Sequence, residues 1–569
     1  MYKKILSFVL AFLMAVTVLA GCGKNSSDTD VEATADTEES ARIAMTLSLW
    51  LPSDYFTEEA EKEVSEAINS LTKAKYDTAI ELKLIPRAEY RDAVEARLQE
   101  ITDQIAREEE EAEARRKAIK EAKARGETVE EVPEETEETL PTEDETIVNE
   151  LGITITKYPE LGERQFDIFL VTSYDQYMDY IDNEFIQQLD GELSGNSKLL
   201  KTYIHPTYLD LANVQGTYAI PNNHPVGQYQ YLLVNKELVD QFDYDPDSLT
   251  SVLKCQDFIK DVGNHHLDGV IPLLGEVEAA NMHFSGINED KNEWSIAGAQ
   301  VTNSMSYSSP CTPKSVFSVN VYMNTVKLMK ELKEAGYVGD GTVKEGQKFA
   351  VGVVSGDPTI LEQYEDEYYT RVYSKPMMTE EDAYGAMFAV SAFSKSLSRS
   401  MEIITYLNTN TDLRTVLQYG KRGVHWDYTR EESKDTIKLL PKSSEYKMRL
   451  TDTGNVYLTY PGEGRPMSDW DAGKKMNLDM ISDPYMKYPG SITEENKAAL
   501  EAFAEYSKQI KAEMDACPAA EFDDFIARMK TEVKNEEVLK TVLDNKGESP
   551  NSIVTRYTEW HDDLYPPAM

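Results

Sequence analysis

Cysteine is nearly missing from this chain: four residues in 569, at Cys22, Cys255, Cys311 and Cys517. No C-x-x-C occurs, so neither a zinc ribbon nor a dithiol redox pair is indicated. The three cysteines beyond Cys22 leave room for one disulfide but not for a disulfide scaffold. Seven histidines form no H-E-x-x-H, and the adjacent His265 and His266 lack a partner at helical spacing. Neither a metal nor any other cofactor is expected. Basic residues are also in short supply, 58 Lys and Arg against 101 Asp and Glu, for a formal net charge of −43. A chain this acidic is repelled by phosphates, which makes nucleic acid and anionic lipid poor partners. Neither a G-x-S-x-G elbow nor a Walker loop is present. "GYVGDGTV" (336–343) has three glycines without dinucleotide-loop spacing and reads as a turn after a helix. Asp243, Asp245 and Asp247 begin like a calcium loop, but Ser248 and Lys254 stand where glycine and glutamate are required. A paired acid and base cannot be picked out among so many carboxylates. The expectation is a protein that is not an enzyme.

Long apolar runs are missing too, with one exception at the start. "MYKKILSFVLAFLMAVTVLAGC" has two lysines, a mainly apolar run over 5–21, then small residues, the layout of a secretory signal peptide. Seventeen residues are marginal for a bilayer, which needs about 20; an uncleaved anchor is the alternative. "LAGC" (19–22) resembles the lipobox of bacterial lipoproteins. That resemblance implies cleavage after residue 21, a diacylated Cys22 and a body held at the outer face of the cell membrane, two acyl chains holding far better than one. Losing Lys3 and Lys4 with residues 1–21 would take the net charge from −43 to −45. Residues 22–42 are polar and aperiodic, a flexible tether.

What is present is enough for two or three domains: 569 residues, 41% of them hydrophobic and 9% aromatic. "AMTLSLWLP" alternates as a strand ending at Trp50, and "TEEAEKEVSEAINSLTKAKY" has helical spacing behind a cap at Ser53 or Thr57. "TAIELKLIP", "EYRDAVEARLQEITDQI" and "QFDIFLVTS" continue as strand, helix and buried strand. Such alternation means a layered α/β domain. Helices are also read over 249–262, 320–336 and 493–514, with "DTGNVYLTYPG" (452–462) as a hairpin. Between the second helix and third strand, 107–145 is charged: first a helix-favouring half, then ten acidic residues and no basic ones over 127–145. It reads as a solvated insertion, with a docking arm as the alternative.

Aromatic residues are the remaining chemical signal: 33 Tyr, 16 Phe and five Trp, many of them near strand ends or in loops. Ligands of open α/β sheets bind beyond the carboxyl ends of strands, and aromatic faces beside Asp and Asn suit sugar rings. Each ring taken singly is better explained by core packing; the set at strand ends is what points to a ligand.

"LSLWLP", "EYRDAVEARL", "FDIFLVTSYDQYMDYIDNEFIQQLD", "GTYAIPNNHPVGQYQYLLVNKELVD" and "YLNTNTDLRTVLQYGKRGVHWDY" occur in an order that resembles the extracellular solute-binding proteins of bacterial ABC importers, the sugar-type group related to maltose-binding protein. The resemblance covers most of 45–270 and 380–480; in that family the second helix runs directly into the turn kept here as "LGERQFD", without the insertion. It implies an α/β fold of two lobes joined by a hinge of crossing strands near 216–232 and 375–389. The first lobe would be 43–220 and 385–430, with the insertion at 100–150; the second would be 221–384 and 431–569. By position, Trp50, Tyr174, Asp175, Asn222, Gln228, Tyr229, Trp426 and Trp470 become ligand contacts. The implied function is a lipid-anchored, monomeric receptor delivering an oligosaccharide to a permease. A surface glycoside hydrolase, and an adhesin working through 107–145, are the alternatives.

Overall fold

A computed structural model describes residues 43–125, 145–148, 154–279, 282–286, 293–305, 313–432, 434, 436–462, 468–482, 486, 497–543 and 552–564. The signal segment with Cys22, the tether, Cys311 and most of the acidic run 127–145 lie outside the described residues. Cys255 and Cys517 are both free thiols.

The chain begins with β1 (Met45–Ser53), α1 (Glu58–Tyr76), β2 (Thr78–Pro86), α2 (Arg87–Ala124), β3 (Ile168–Val171), α3 (Tyr174–Asp182) and β4 (Ala219–Pro221). There follow β5 (Tyr229–Asn235), α4 (Gln256–Asn264), β6 (Val270–Leu273), α5 (Asn320–Glu334), β7 (Lys348–Gly356) and β8 (Tyr368–Ser374). It continues with β9 (Met387–Val390), α6 (Leu397–Thr409), α7 (Thr411–Tyr419), α8 (Ser468–Asp479) and α9 (Lys497–Ala516). These elements form two compact units. One is 1–223 with 384–462, the other 224–383 with 463–569, so the chain passes between them three times.

The first unit is built on a five-stranded sheet ordered β2-β1-β3-β9-β4. β1 lies parallel to β2 and β3, while β9 runs antiparallel to β3 and β4. α1 starts where the sequence expects, with Thr57 accepting the Ala60 N–H at 3.2 Å, and buries Ala60, Val64, Ile68 and Thr72 at four-residue spacing. α2 buries Tyr90, Val94, Leu98 and Ile101 at similar spacing, and from 106 to 118 every residue is exposed. Its first half is a core helix and its second half a solvated arm, continuous with the charged insertion. Behind that arm, Thr146–Val148 and Thr154–Thr156 pair as a short hairpin. Asp167, fully buried at the entry to β3, ties the unit together by accepting from Ser48 N (2.9 Å), Gln165 Nε2, Ser394 Oγ and Lys395 N.

The expected boundary at 430 is displaced. Residues 431–462 belong to the first unit. Ile437–Leu439 pairs with Trp426–Tyr428, Tyr446–Lys447 pairs with Tyr55–Phe56, and the Gln418 amide reaches the Met448 carbonyl at 2.8 Å. The expected hairpin over 452–462 is instead two 3-10 turns, Leu450–Thr453 and Val456–Leu458. Gly454 between them has φ +107°, and a Cβ there would meet the Leu407 carbonyl at 2.7 Å, so the chain bends where a strand would run straight.

The second unit carries a four-stranded sheet ordered β8-β5-β7-β6, with β5 antiparallel to both neighbours and β6 parallel to β7. Its core joins Leu232 and Val234 of β5 to Phe258 and Val262 of α4 and Leu328 and Leu332 of α5. α4 is shorter than expected at its start, because 249–251 is irregular and 252–255 is turn. A separate apolar core packs α9 and Phe522–Asn535 around Phe317, Phe503 and Met529. No described helix is long and apolar enough to cross a membrane.

Candidate functional site

In the first unit, β1, β2 and β3 are parallel, so their carboxyl ends share one edge of the sheet. β9 runs the other way, which brings its first residue, Met387, beside Val171 and Pro221 on that same edge. Three of the expected residues are here. Ser173 caps α3, and Tyr174 and Asp175 begin it. Tyr174 is buried with its ring 4.8 Å from that of Tyr384, whereas Asp175 is exposed. Asn222 follows β4 and is fully buried; its N–H donates to the Ala386 carbonyl (3.0 Å) and its amide to that of Thr451 (2.7 Å). Asn222 therefore fixes the 446–455 segment against the sheet edge, a structural task.

That segment supplies what the sequence did not reveal. Arg87, first residue after β2, meets Asp54, first after β1, at 2.6 Å and also pairs with Asp452. Arg449 approaches Asp54 at 3.4 Å. Asp452 is buried; that burial raises its carboxyl above the usual range, while Arg87 pulls the other way. The rim is held from behind. Ser53 Oγ and Asp54 N both donate to the Lys447 carbonyl, at 2.9 and 3.0 Å. Fully buried Arg414 on α7 donates to Gln418 and to the Leu450 carbonyl. Burial pulls that guanidinium down to about 9, still charged at neutral pH. Tyr55 and Leu450, both in this rim, are among the few large apolar side chains left exposed.

Trp50 is elsewhere. β1 runs on to Ser53, and Trp50 is paired with Lys83 and Phe169 inside the sheet. Its ring packs edge-on against Phe166 (5.0 Å) under the Lys83 ammonium (3.9 Å), in a groove of about 560 Å³ lined by Ala93, Ala96 and Arg97 of α2. Strand alternation turned it toward the helix layer, away from the strand ends. Trp426 is likewise removed: 3% exposed, it donates to the Gly420 carbonyl at 2.7 Å and packs on Tyr428 and Ile437. It anchors its own turn.

In the second unit, β5 begins on the edge where β7 and β8 end. Tyr229 opens β5, 3% exposed, with its ring stacked on Tyr231 at 5.4 Å and its hydroxyl donating to Asp479 at 2.5 Å. Lys375 reaches the same carboxylate at 3.8 Å. Burial pushes both phenols up, Tyr231 to about 12, with Asp357 and Asp479 adding to the effect. Gln228 just before β5 is exposed. Trp470 is on α8 with Asp479 but nine residues earlier, about 13 Å along the helix axis. It is half-buried and apart from the tyrosine pair. Leu478, beside Asp479, is 76% exposed. Of the residues sequence reasoning missed, Asp54 and Arg87 had a signal, being the first residues past strands. Arg449, Asp452 and Asp479 had none.

Each unit thus presents, at the edge where strands end, fixed polar groups beside apolar side chains, the composition of a small-molecule site. No family model matches the chain. A carbohydrate ABC transporter substrate-binding protein of Streptococcus pneumoniae serotype 4 is 21% identical over 440 residues, 72% of this chain and 87% of that protein. Among solved structures, the N-glycan transport solute binding protein NgtS of Streptococcus pneumoniae superposes with a TM-score of 0.53 at 16% identity, over 91% of this chain and 99% of that one. A solute-binding protein of Bifidobacterium longum infantis is more distant, with a TM-score of 0.44 at 10% identity over 93% of this chain and 100% of that one. The chain is thus similar in sequence to a substrate-binding protein of a carbohydrate ABC transporter and similar in fold to a solute-binding protein of N-glycan transport.

Proposed function

We propose that this protein is the extracytoplasmic solute receptor of an ABC importer and that its solute is an oligosaccharide. The observation that carries the reading is the two-unit α/β fold, crossed three times by the chain and shared with NgtS over 91% of its length. The fold supplies two sheet edges carrying a buried tyrosine pair, an arginine–aspartate rim and exposed apolar side chains. The exposed apolar side chains suit sugar C–H faces and the arginine–aspartate rim suits hydroxyls, while the buried tyrosine pair holds its edge in shape; the role of these groups is to bind. No bond is made or broken: the solute shifts an open–closed population, and the permease takes the closed form. The receptor acts as a monomer held at the outer face of the membrane through lipid on Cys22.

The test is calorimetry and thermal shift of the purified chain against neutral oligosaccharides built from mannose and N-acetylglucosamine. Stabilisation of about 2.7 kcal/mol at a hundredfold excess over Kd, with the glycan recovered intact, is expected. Released sugar, or no shift with any oligosaccharide, would sink the reading. For the anchor, Cys22→Ala is expected to stop incorporation of labelled palmitate and release the protein from membranes; retention of both excludes it.

A further inference from the structure

The rim of the first unit has hydrogen-bonding capacity left over. Asp54 meets Arg87 and Arg449 through Oδ1, and its Oδ2 has no hydrogen-bond partner among the described residues. Arg449 makes its nearest approach through Nε, leaving both terminal nitrogens without a hydrogen bond among the described residues; Arg87 uses Nε and Nη2, leaving Nη1. Side-chain exposure is 42% for Asp54 and 53% for Arg449, while Asp452 is 3% exposed, pairs with Arg87 and accepts from the Thr451 hydroxyl. Tyr55, next to Asp54, is 52% exposed. The backbone beneath is fixed at the Lys447, Met448, Leu450 and Thr451 carbonyls, so these groups are preorganised.

An open carboxylate oxygen beside open guanidinium N–H groups matches two neighbouring hydroxyls on a sugar ring. One hydroxyl donates to the carboxylate and the other accepts from the guanidinium, both as charge-assisted bonds. Tyr55, the next residue along the chain, has an exposed phenol ring that offers a flat apolar face. The charge count decides between sugar classes. Two guanidiniums face two carboxylates, so the rim has no surplus positive charge, and a bound acid group would sit against Asp54 in a chain of net charge −43.

We infer that this rim is a subsite for an uncharged sugar unit, with Asp54 accepting, Arg449 and Arg87 donating and Tyr55 stacking, and that Asp54 turns acidic sugars away. The inference rests on the receptor reading and adds to it the class of glycan and the residue that selects it. Calorimetry would compare neutral mannose and N-acetylglucosamine oligosaccharides with the same chains ending in a uronic or sialic acid. The unsubstituted chain is expected to prefer the neutral member at least roughly tenfold, as one charged hydrogen bond is enough to do. Asp54→Asn is expected to lose about tenfold in neutral affinity and to bring the two classes close together. Tyr55→Ala, truncating an exposed ring, should weaken both classes without moving the melting temperature of the unliganded chain. Neutral binding unaltered in both variants, or an unsubstituted chain preferring acidic glycans, would overturn the subsite while leaving the receptor standing. Failure of the unsubstituted chain to bind any member would remove the receptor reading itself.

Discussion

The two sheet edges carry different chemistry. In the first unit the edge is ionic: Arg87, Asp54, Arg449 and Asp452 form a partly exposed network braced by carbonyls of the 447–451 stretch. In the second it is aromatic: Tyr229 and Tyr231 stack, buried, and only one hydroxyl is fastened, to Asp479. An ionic rim depends on many distant residues holding a few side chains in place. A stacked pair depends mainly on its own strand, since Tyr229 and Tyr231 project on the same face by alternation. The difference shows which interactions a substitution can reach without touching the fold.

The largest effect is expected where the ionic rim is braced. Arg414→Ala removes two hydrogen bonds from a fully buried guanidinium and leaves a cavity, so unfolding of the first unit in urea should become easier by about 3 kcal/mol. A loss under about 1 kcal/mol would mean the 448–453 stretch is held by something else. Next comes Tyr229→Phe, which keeps the ring stack and loses the hydroxyl bond to Asp479; about 1–2 kcal/mol is expected, read from the second unit's transition.

Acid should separate the units by sign. Asp382, in the second unit, is lowered: burial opposes its charge, but hydrogen bonds from His224 and from Thr379 outweigh it. Its contribution is present above the ordinary aspartate range and is lost as pH falls through the lowered value. Asp452 in the first unit is raised by burial, so its contribution runs the other way, growing on acidification and lost as pH rises through the raised value. Urea midpoints between neutral pH and about pH 3 should therefore flatten on the acid side for Asp382→Asn. They should lose an acid-side gain for Asp452→Asn; identical profiles in both variants would contradict the assignment. The smallest effect belongs to the solvated arm of α2. Arg164→Ala breaks the exposed pair with Glu108 at 2.7 Å and should cost under about 0.5 kcal/mol, vanishing in high salt.

Much of the fold was legible because it repeats locally. The strand–helix–strand order from β1 to β3 and the Thr57 cap follow from spacing and residue type. The candidate site was legible only in part. Tyr174, Asp175, Asn222 and Tyr229 do lie at strand ends, yet Trp50 and Trp426 do not, because a ring's direction depends on pleat parity and on what packs above it. Residues 431–462 join the first unit, not the second, for a related reason: short pairings such as Tyr446–Lys447 with Tyr55–Phe56 span nearly four hundred residues and leave no periodicity.

By itself, then, the sequence determined the acidity of the surface, the alternation of elements and the resemblance to importer receptors, since composition and periodicity are local properties. Only the tertiary structure decided that Arg87 meets Asp452 across 365 positions and that Arg414 lies buried behind them. Ion pairs and buried guanidiniums are held by distant neighbours, and the separation of those neighbours along the chain carries no trace of their contact.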